Sequence, residues 1–323
     1  MLKYYQLYAL DCIQGARTYL GDNSVDLIIT DPPYGIKADL HHLHYNRYEQ
    51  HVLDGYVEVP LEQYALFSEN WIREAERVLR PGGSIYIISG YSNLADILNA
   101  LRKSTLCERN HLIWKYNFGV FTSKKYISSH YHVLYYIKPG GTVTFNTYSR
   151  FGAREKDSQG GSLNYQDRED VWLINREYKH GEIKNKNELP LELIAKILQY
   201  SSNEDDLVAD FFLGGFNTAK AAIGLKRRVT GFEINRKAFD FHIQEVALIK
   251  PGYLLSSIRK GSGSPPANQK KRWTASEREQ LKKRFKEIYA RLKNKRQTIK
   301  ILEEEFERGY FSIRRQLVNL SLL

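Results

Sequence analysis

The residues best equipped for chemistry are the run Asp31-Pro32-Pro33-Tyr34, followed by Gly35. The Asp31 carboxylate accepts hydrogen bonds from an amino group. Pro32 has no N–H, but its carbonyl is a second fixed acceptor. Tyr34 offers an aromatic face on which a planar ring can stack. Two acceptors beside a stacking face suit the exocyclic amine of a nucleobase. The plainer reading of the same residues is a proline-rich turn with a capping Asp.

A second grouping lies far along the chain. Asp206-Leu207-Val208-Ala209-Asp210 reads as a strand, and Phe211-Phe212-Leu213-Gly214-Gly215-Phe216-Asn217-Thr218 as a turn into a helix. Arg228-Val229-Thr230-Gly231-Phe232-Glu233 reads as the next strand. Strand, glycine turn, helix and acid-ended strand make the nucleotide-type βαβ unit. Gly214 and Gly215 let the backbone approach a ligand. Glu233, about twenty residues after the turn, is placed for ribose hydroxyls. A structural βαβ turn is the alternative. Asp11 is expected at the same sheet edge one βα unit before Asp31, and also reads as a helix N-cap.

The elements that must hold these residues are legible. Val25–Thr30 is a short apolar strand, and two prolines beyond it force the chain to turn at its carboxyl end, where open parallel sheets bind ligands. Residues 61–80 have helical periodicity, ended by Arg80-Pro81-Gly82-Gly83, with a strand over Ser84–Ser89 and a helix over Leu94–Lys103. His111–Lys115 and Tyr131–Ile137 read as strands, and Leu189–Tyr200 as a helix with Pro190 near its first turn. The expected class is α/β, a doubly wound Rossmann-like sheet with helices on both faces, plus a small all-helical C-terminal appendage. Residues 140–185 are Gly-, Ser- and Tyr-rich and basic, and read as a target-recognition insert.

The 323 residues carry a net charge of +11, which favours a polyanionic partner. The excess is uneven: from Gly261 onward there are 16 Lys and Arg against 7 Asp and Glu, so +9 lies in the tail. No apolar run is long enough for a membrane helix, and Met1–Gln6 lacks a signal pattern, so no membrane partner and a cytoplasmic location are expected. Cys12 and Cys107 have no metal-type spacing. His41, His42, His44 and His51 lack partner cysteines or a helical His pair, so no metal is expected and a loop beside the site is the reading.

Asp31-Pro32-Pro33-Tyr34 resembles the D/N/S-P-P-Y/F/W motif of amino-methyltransferases that use S-adenosylmethionine. That motif comes first and the unit from Asp210 to Glu233 last, an order similar to the circularly permuted β class of DNA amino-methyltransferases. The resemblance spans roughly residues 5–250 and includes Arg80-Pro81-Gly82-Gly83-Ser84, Trp114-Lys115 and Pro190. It implies an S-adenosylmethionine domain over residues 1–260, with Asp11, Asp210, Phe212, Gly214, Gly215 and Glu233 binding the cofactor. It also implies that Asp31, Pro32, Pro33 and Tyr34 act on a flipped-out base of double-stranded DNA. Adenine N6 is favoured because Asp stands at position 31. Cytosine N4 is the first alternative, and a catalytically inactive DNA-binding protein the second. The family usually has Pro at position 211, Gly-Ser-Gly-Thr over 214–217, Gln-Lys-Pro over 188–190 and an acid at 132, where this chain has Phe211, Gly214-Gly215-Phe216-Asn217, Glu188-Leu189-Pro190 and His132. Phe216 is thus expected to crowd the cofactor turn.

Gly261-Ser262-Gly263-Ser264-Pro265-Pro266 marks a linker over residues 261–269. Residues 270–323 resemble a Myb-like or helix-turn-helix domain, with Lys270, Lys271, Arg272, Arg314 and Arg315 expected on DNA. A basic helical hairpin for packing or homodimer formation is the alternative.

Overall fold

The computed structural model describes residues 4–33, 35–36, 59–117, 119, 123–152, 154–176, 188–255, 268 and 271–323. The chain divides into two compact units, Met1–Ile258 and Arg259–Leu323. In the first, the elements follow in the order β1 (Tyr5–Tyr8), α1 (Cys12–Tyr19), β2 (Val25–Thr30), β3 (Gly35–Ile36), β4 (Val59–Pro60), α2 (Leu61–Val78), β5 (Leu79–Ser89) and α3 (Leu94–Arg102). Then come β6 (Cys107–Lys115), β7 (His130–Ile137), α4 (Leu163–Asp167), β8 (Val171–Leu173), α5 (Leu191–Ser201), β9 (Leu207–Asp210), α6 (Asn217–Gly224), β10 (Arg228–Phe232) and α7 (Arg236–Ala247).

Eight strands form one sheet in the order β1-β10-β9-β2-β5-β7-β6-β8, and β3 pairs with β4 separately. The strands from β1 to β5 across the sheet are parallel, β7 is antiparallel to β5 and β6, and β8 is parallel to β6. The central strands are apolar on both faces, as a sheet covered on both sides requires. Leu27, Ile28 and Ile29 are fully buried, each contributing roughly 1.5–3 kcal/mol of apolar transfer. One core packs α1, α2 and α3 through Ala16, Trp71, Ala75 and Leu101. The other packs α5, α6 and α7 through Leu193, Ile197, Ala222 and Val246. The doubly wound arrangement is the expected one.

Four details differ from the sequence reading. The strand after α2 begins at Leu79 and runs through Pro81-Gly82-Gly83. The extra residues bulge, since Val25 pairs with Leu79 and Leu27 already with Ser84. Gly82 sits at φ +78°, and a Cβ there would meet the Thr142 carbonyl oxygen at 2.3 Å, so no other residue fits. Within residues 140–176, where periodicity is weak, α4 forms and β8 extends the main sheet. Arg150 and Tyr200 both bond the Asp167 carboxylate, at 2.9 and 2.6 Å, which fastens this segment to α5. Pro190 is the residue before α5, in extended backbone, which Pro favours just ahead of a first turn. Finally, α7 was not anticipated. Asn235 caps it by accepting from the amides of Lys237 and Ala238.

The second unit holds α8 (Ala275–Leu292), α9 (Lys295–Phe306) and α10 (Tyr310–Asn319). Thr274 and Glu277 form a capping box at the start of α8. Leu281, Phe285, Ile288, Ile299, Leu302, Ile313 and Leu317 make its own core. Of the linker 261–269, only Asn268 is among the described residues, and Lys270 lies outside them. Among the described residues no helix is long and apolar enough to cross a membrane.

Candidate active site

Parallel β2, β9 and β10 end at the same edge of the sheet, so Asp31, Asp210 and Glu233 are delivered together. One cavity at that edge is lined by Asp11, Asp31, Asp210, Phe212, Gly214, Gly215 and Glu233, among others. Residues separated by two hundred positions thus face one space. Pro33 also lines it, and Pro32 is buried behind. Tyr34 lies outside the described residues, as does most of the His- and Tyr-rich stretch 36–60.

Asp11 is the N-cap of α1. Its Oδ1 accepts from the amides of Ile13 and Gln14, both at 3.0 Å, and these bonds use only one carboxylate oxygen. Both readings of Asp11 therefore hold: it caps the helix and borders the cavity. It stands beyond the end of β1 at Tyr8 and not on a strand.

Asp210 is buried. Its Oδ1 accepts from Thr30 Oγ1 at 3.1 Å and from the Phe212 amide at 3.0 Å. Burial outweighs these bonds and lifts its carboxyl to about 6. Glu233 accepts from the Gly214 amide at 2.9 Å and from the Asn235 amide at 2.8 Å. Its carboxyl is also raised, first by burial and in smaller part by Asp210 nearby. The two Glu233 oxygens accept one of these amide bonds each, so each has a further lone pair to offer a ligand hydroxyl or amine.

The turn from β9 to α6 is shaped by its glycines. Gly214 has φ +49°, which favours glycine. A Cβ on Gly215 would stand 2.7 Å from the Glu188 carboxyl group, so any other residue there would make the Glu188 side chain, which lines the cavity, shift. Phe216 corrects an expectation. Its ring is fully buried in the core, edge-on to Phe239 at 5.6 Å, and it does not line the cavity. The backbone takes φ +59° to turn it inward, so bulk at this position costs local strain and leaves the ligand space open.

Sequence reasoning passed over Thr30, Glu188, Asn217 and Asn235. A polar Thr30 ending an apolar strand beside Asp31 was an available signal. Asn217, whose side chain donates to the Leu189 carbonyl at 2.9 Å, gave none, because that partner is 28 residues away. Lys271, Arg272, Arg314 and Arg315 are exposed in the second unit. Among the described residues, no cluster of three or more His, Cys, Asp or Glu side chains could hold a metal ion.

The donor set fits S-adenosylmethionine. Five carboxylates, Asp11, Asp31, Glu188, Asp210 and Glu233, suit a ligand bearing an ammonium, a sulfonium and ribose hydroxyls, and Phe212, Phe232 and Ile234 give the cavity an apolar side that suits a planar ring. The family described as DNA methylase, the N6 and N4 methyltransferases, matches residues 25–245. Type II methyltransferase M.HpaI of Haemophilus parainfluenzae is 30% identical over 230 residues, covering 68% of this chain and 67% of its own. DNA adenine methyltransferase YhdJ of Escherichia coli K12 is 28% identical over 272 residues, covering 79% of this chain and 86% of its own. Among solved structures, TTHA0409 of Thermus thermophilus complexed with S-adenosyl-L-methionine has a TM-score of 0.55 at 24% identity, covering 77% of this chain and 95% of that one. The chain belongs to the N6/N4 DNA methylase family, enzymes that transfer a methyl group from S-adenosylmethionine to DNA.

Proposed function

We propose that the protein methylates adenine at N6, within a specific sequence of double-stranded DNA, on a base flipped out of the helix. The observation that carries this is the shared cavity, which Asp31 enters from β2 while Asp210, the glycine turn and Glu233 enter from β9 and β10. A base inside a duplex cannot reach such a cleft, so it leaves the stack. Asp31 and the Pro32 carbonyl accept the two amine hydrogens and draw the nitrogen lone pair out of conjugation with the ring. Tyr34 stacks on the base. S-adenosylmethionine, when bound, supplies an electrophilic methyl group. Asp11, Asp210, Phe212, Gly214, Gly215 and Glu233 would hold it, with Glu233 taking the ribose hydroxyls. The nitrogen sheds one proton as it gains carbon, and Asp31 is the base in reach. Positioning contributes most, because the reactive group comes with the cofactor.

The order of parts, with Asp31 first and the glycine turn last, supports the circularly permuted β class. Asp rather than Ser at position 31, and a relative named as an adenine methyltransferase, favour adenine over cytosine N4. Residues 1–260 then form the methyltransferase domain, acting in the cytoplasm of a prokaryotic host. Modification-sensitive sequencing of DNA from an expressing host tests the reading. N6-methyladenine at one motif is expected. N4-methylcytosine would transfer the assignment to the other base, and unmodified DNA despite normal cofactor binding would mark an inactive relative.

A further inference from the structure

The second unit lies beyond the matched residues 25–245, so what it does has to be argued from its own side chains. Two cationic stretches some forty residues apart meet there. Arg308, in the turn between α9 and α10, is only 2% exposed. It donates to the carbonyls of Asn268 at 3.1 Å, Lys271 at 2.7 Å and Arg272 at 3.4 Å. It also pairs with Glu277 at 2.8 Å and lies over the Trp273 ring, 4.2 Å from its centroid. Trp273 Nε1 in turn donates to Ser312 Oγ at 3.0 Å, in the first turn of α10. The arm at residues 271–273 is therefore pinned along the start of α10.

On α10, Ile313 and Leu317 face the core, while Tyr310, Arg314, Arg315, Val318 and Asn319 are exposed. Arg314, Val318 and Arg315 lie within an arc of about 100°, with Tyr310 and Asn319 at its two sides. The helix has no acid of its own, and among the described residues Arg314 and Arg315 make no ion pair. Glu277, in the first turn of α8 just after the arm, is taken up by Arg308. Glu307 is exposed in the turn that leads into α10.

We propose that Lys271 and Arg272 together with the Arg314 and Arg315 face of α10 form one surface that docks on the phosphate backbone of duplex DNA. It is a contact separate from the cleft that takes the target base, and recognition is thus bipartite. The choice of DNA among polyanions rests on the function proposed above. Guanidinium groups match phosphate geometry, and each phosphate contact releases counterions.

The test uses the full chain and a long duplex of mixed sequence, with affinity measured at several salt concentrations. Arg314→Ala with Arg315→Ala should flatten the slope of log K against log salt by about 2 and weaken binding at low salt roughly tenfold or more. Arg314→Lys with Arg315→Lys keeps the charge and should keep most of the slope. Calorimetric affinity for S-adenosylmethionine should be the same in all three proteins, and both variants should melt like the parent because the replaced side chains are exposed. An unchanged slope in the Ala pair overturns the proposal. So does a changed mass by light scattering with the slope as it was, which would make the face a contact between copies. A protein that methylates no DNA at all would defeat the methyltransferase reading while leaving the slope comparison interpretable.

Discussion

The hydroxyl of Thr30 donates to the carboxylate of Asp210 at 3.1 Å, joining the last residue of β2 to the last residue of β9. The strand that presents Asp31 is thereby locked to the strand that opens the cofactor turn. The same carboxylate is held near a pKa of 6 by burial. Its folded value lies above the ordinary 3.8, so the folded chain binds this proton more tightly than the unfolded one. The cost of its charge is absent below about pH 4 and complete above about pH 6. Asp210→Asn should stabilise the protein at pH 8 by on the order of 2–3 kcal/mol and have little effect at pH 4. In the parent, cofactor affinity should fall as the pH drops through 6, and the Asn variant should lack that dependence. Denaturant titrations and calorimetry at the two ends of the range check both statements.

Asp31→Ala should abolish methyl transfer and leave cofactor affinity within about threefold. Asp31 is at the end of β2 and borders the cavity, outside the sheet's apolar interior. Retained activity in a variant with a normal circular dichroism spectrum would remove Asp31 from the chemistry.

Glu233→Ala should weaken S-adenosylmethionine binding roughly ten- to a hundredfold, since the ligand hydroxyls lose partners worth about 1–3 kcal/mol. It also strands the Gly214 and Asn235 amides that Glu233 now accepts from. Glu233→Gln keeps an acceptor and should recover part of the loss. An unchanged Kd in the Ala variant would detach the βαβ unit from the cofactor.

Gly215→Ala should push the Glu188 side chain from its place on the cavity wall, because the added Cβ falls 2.7 Å from its carboxyl group. The loss in cofactor affinity should be smaller when Glu188→Ala is already present, since neighbouring substitutions are not additive. Equal losses in both backgrounds would mean that the two residues do not share the site.

Asp167 should be a stability residue. Arg150, Tyr200 and the buried Lys196 converge on its carboxylate, the last at 3.4 Å, and Lys196 also lies over the Trp172 ring at 4.5 Å. Burial lowers the Lys196 pKa, and Asp167 is the charge that opposes this. Asp167→Ala leaves that cation without its carboxylate and should cost about 3–5 kcal/mol, read by denaturant unfolding.

Much of this was readable in the sequence where physics is local. An apolar run ending in two prolines fixed β2 and its turn, and the glycines with a terminal acid fixed the cofactor unit to within a residue or two. What escaped reading depends on distant partners. Pro81-Gly82-Gly83 looks like a helix stop, yet it stays in a strand because Gly82 abuts residue 142 and its amide donates to the Lys138 carbonyl at 2.8 Å. Phe216 looks like an obstruction until Phe239, on the unanticipated α7, is seen to receive it. Val171–Leu173 alternates too briefly to declare itself a strand, and only β6 makes it one.

The order of strands also has a consequence for how the chain is made. β1 pairs with β10, and β2 lies between β5 and β9. Synthesis runs from the N-terminus, so the Asp31 strand emerges early and waits for a neighbour whose partner residue is 180 positions downstream. Such non-local pairing slows folding. Until β9 and β10 arrive, both β1 and one side of β2 are unpaired edges that invite association with other chains. A chain ending before residue 207 would carry Asp31 without the glycine turn and with the side of β2 that β9 covers left as an open edge.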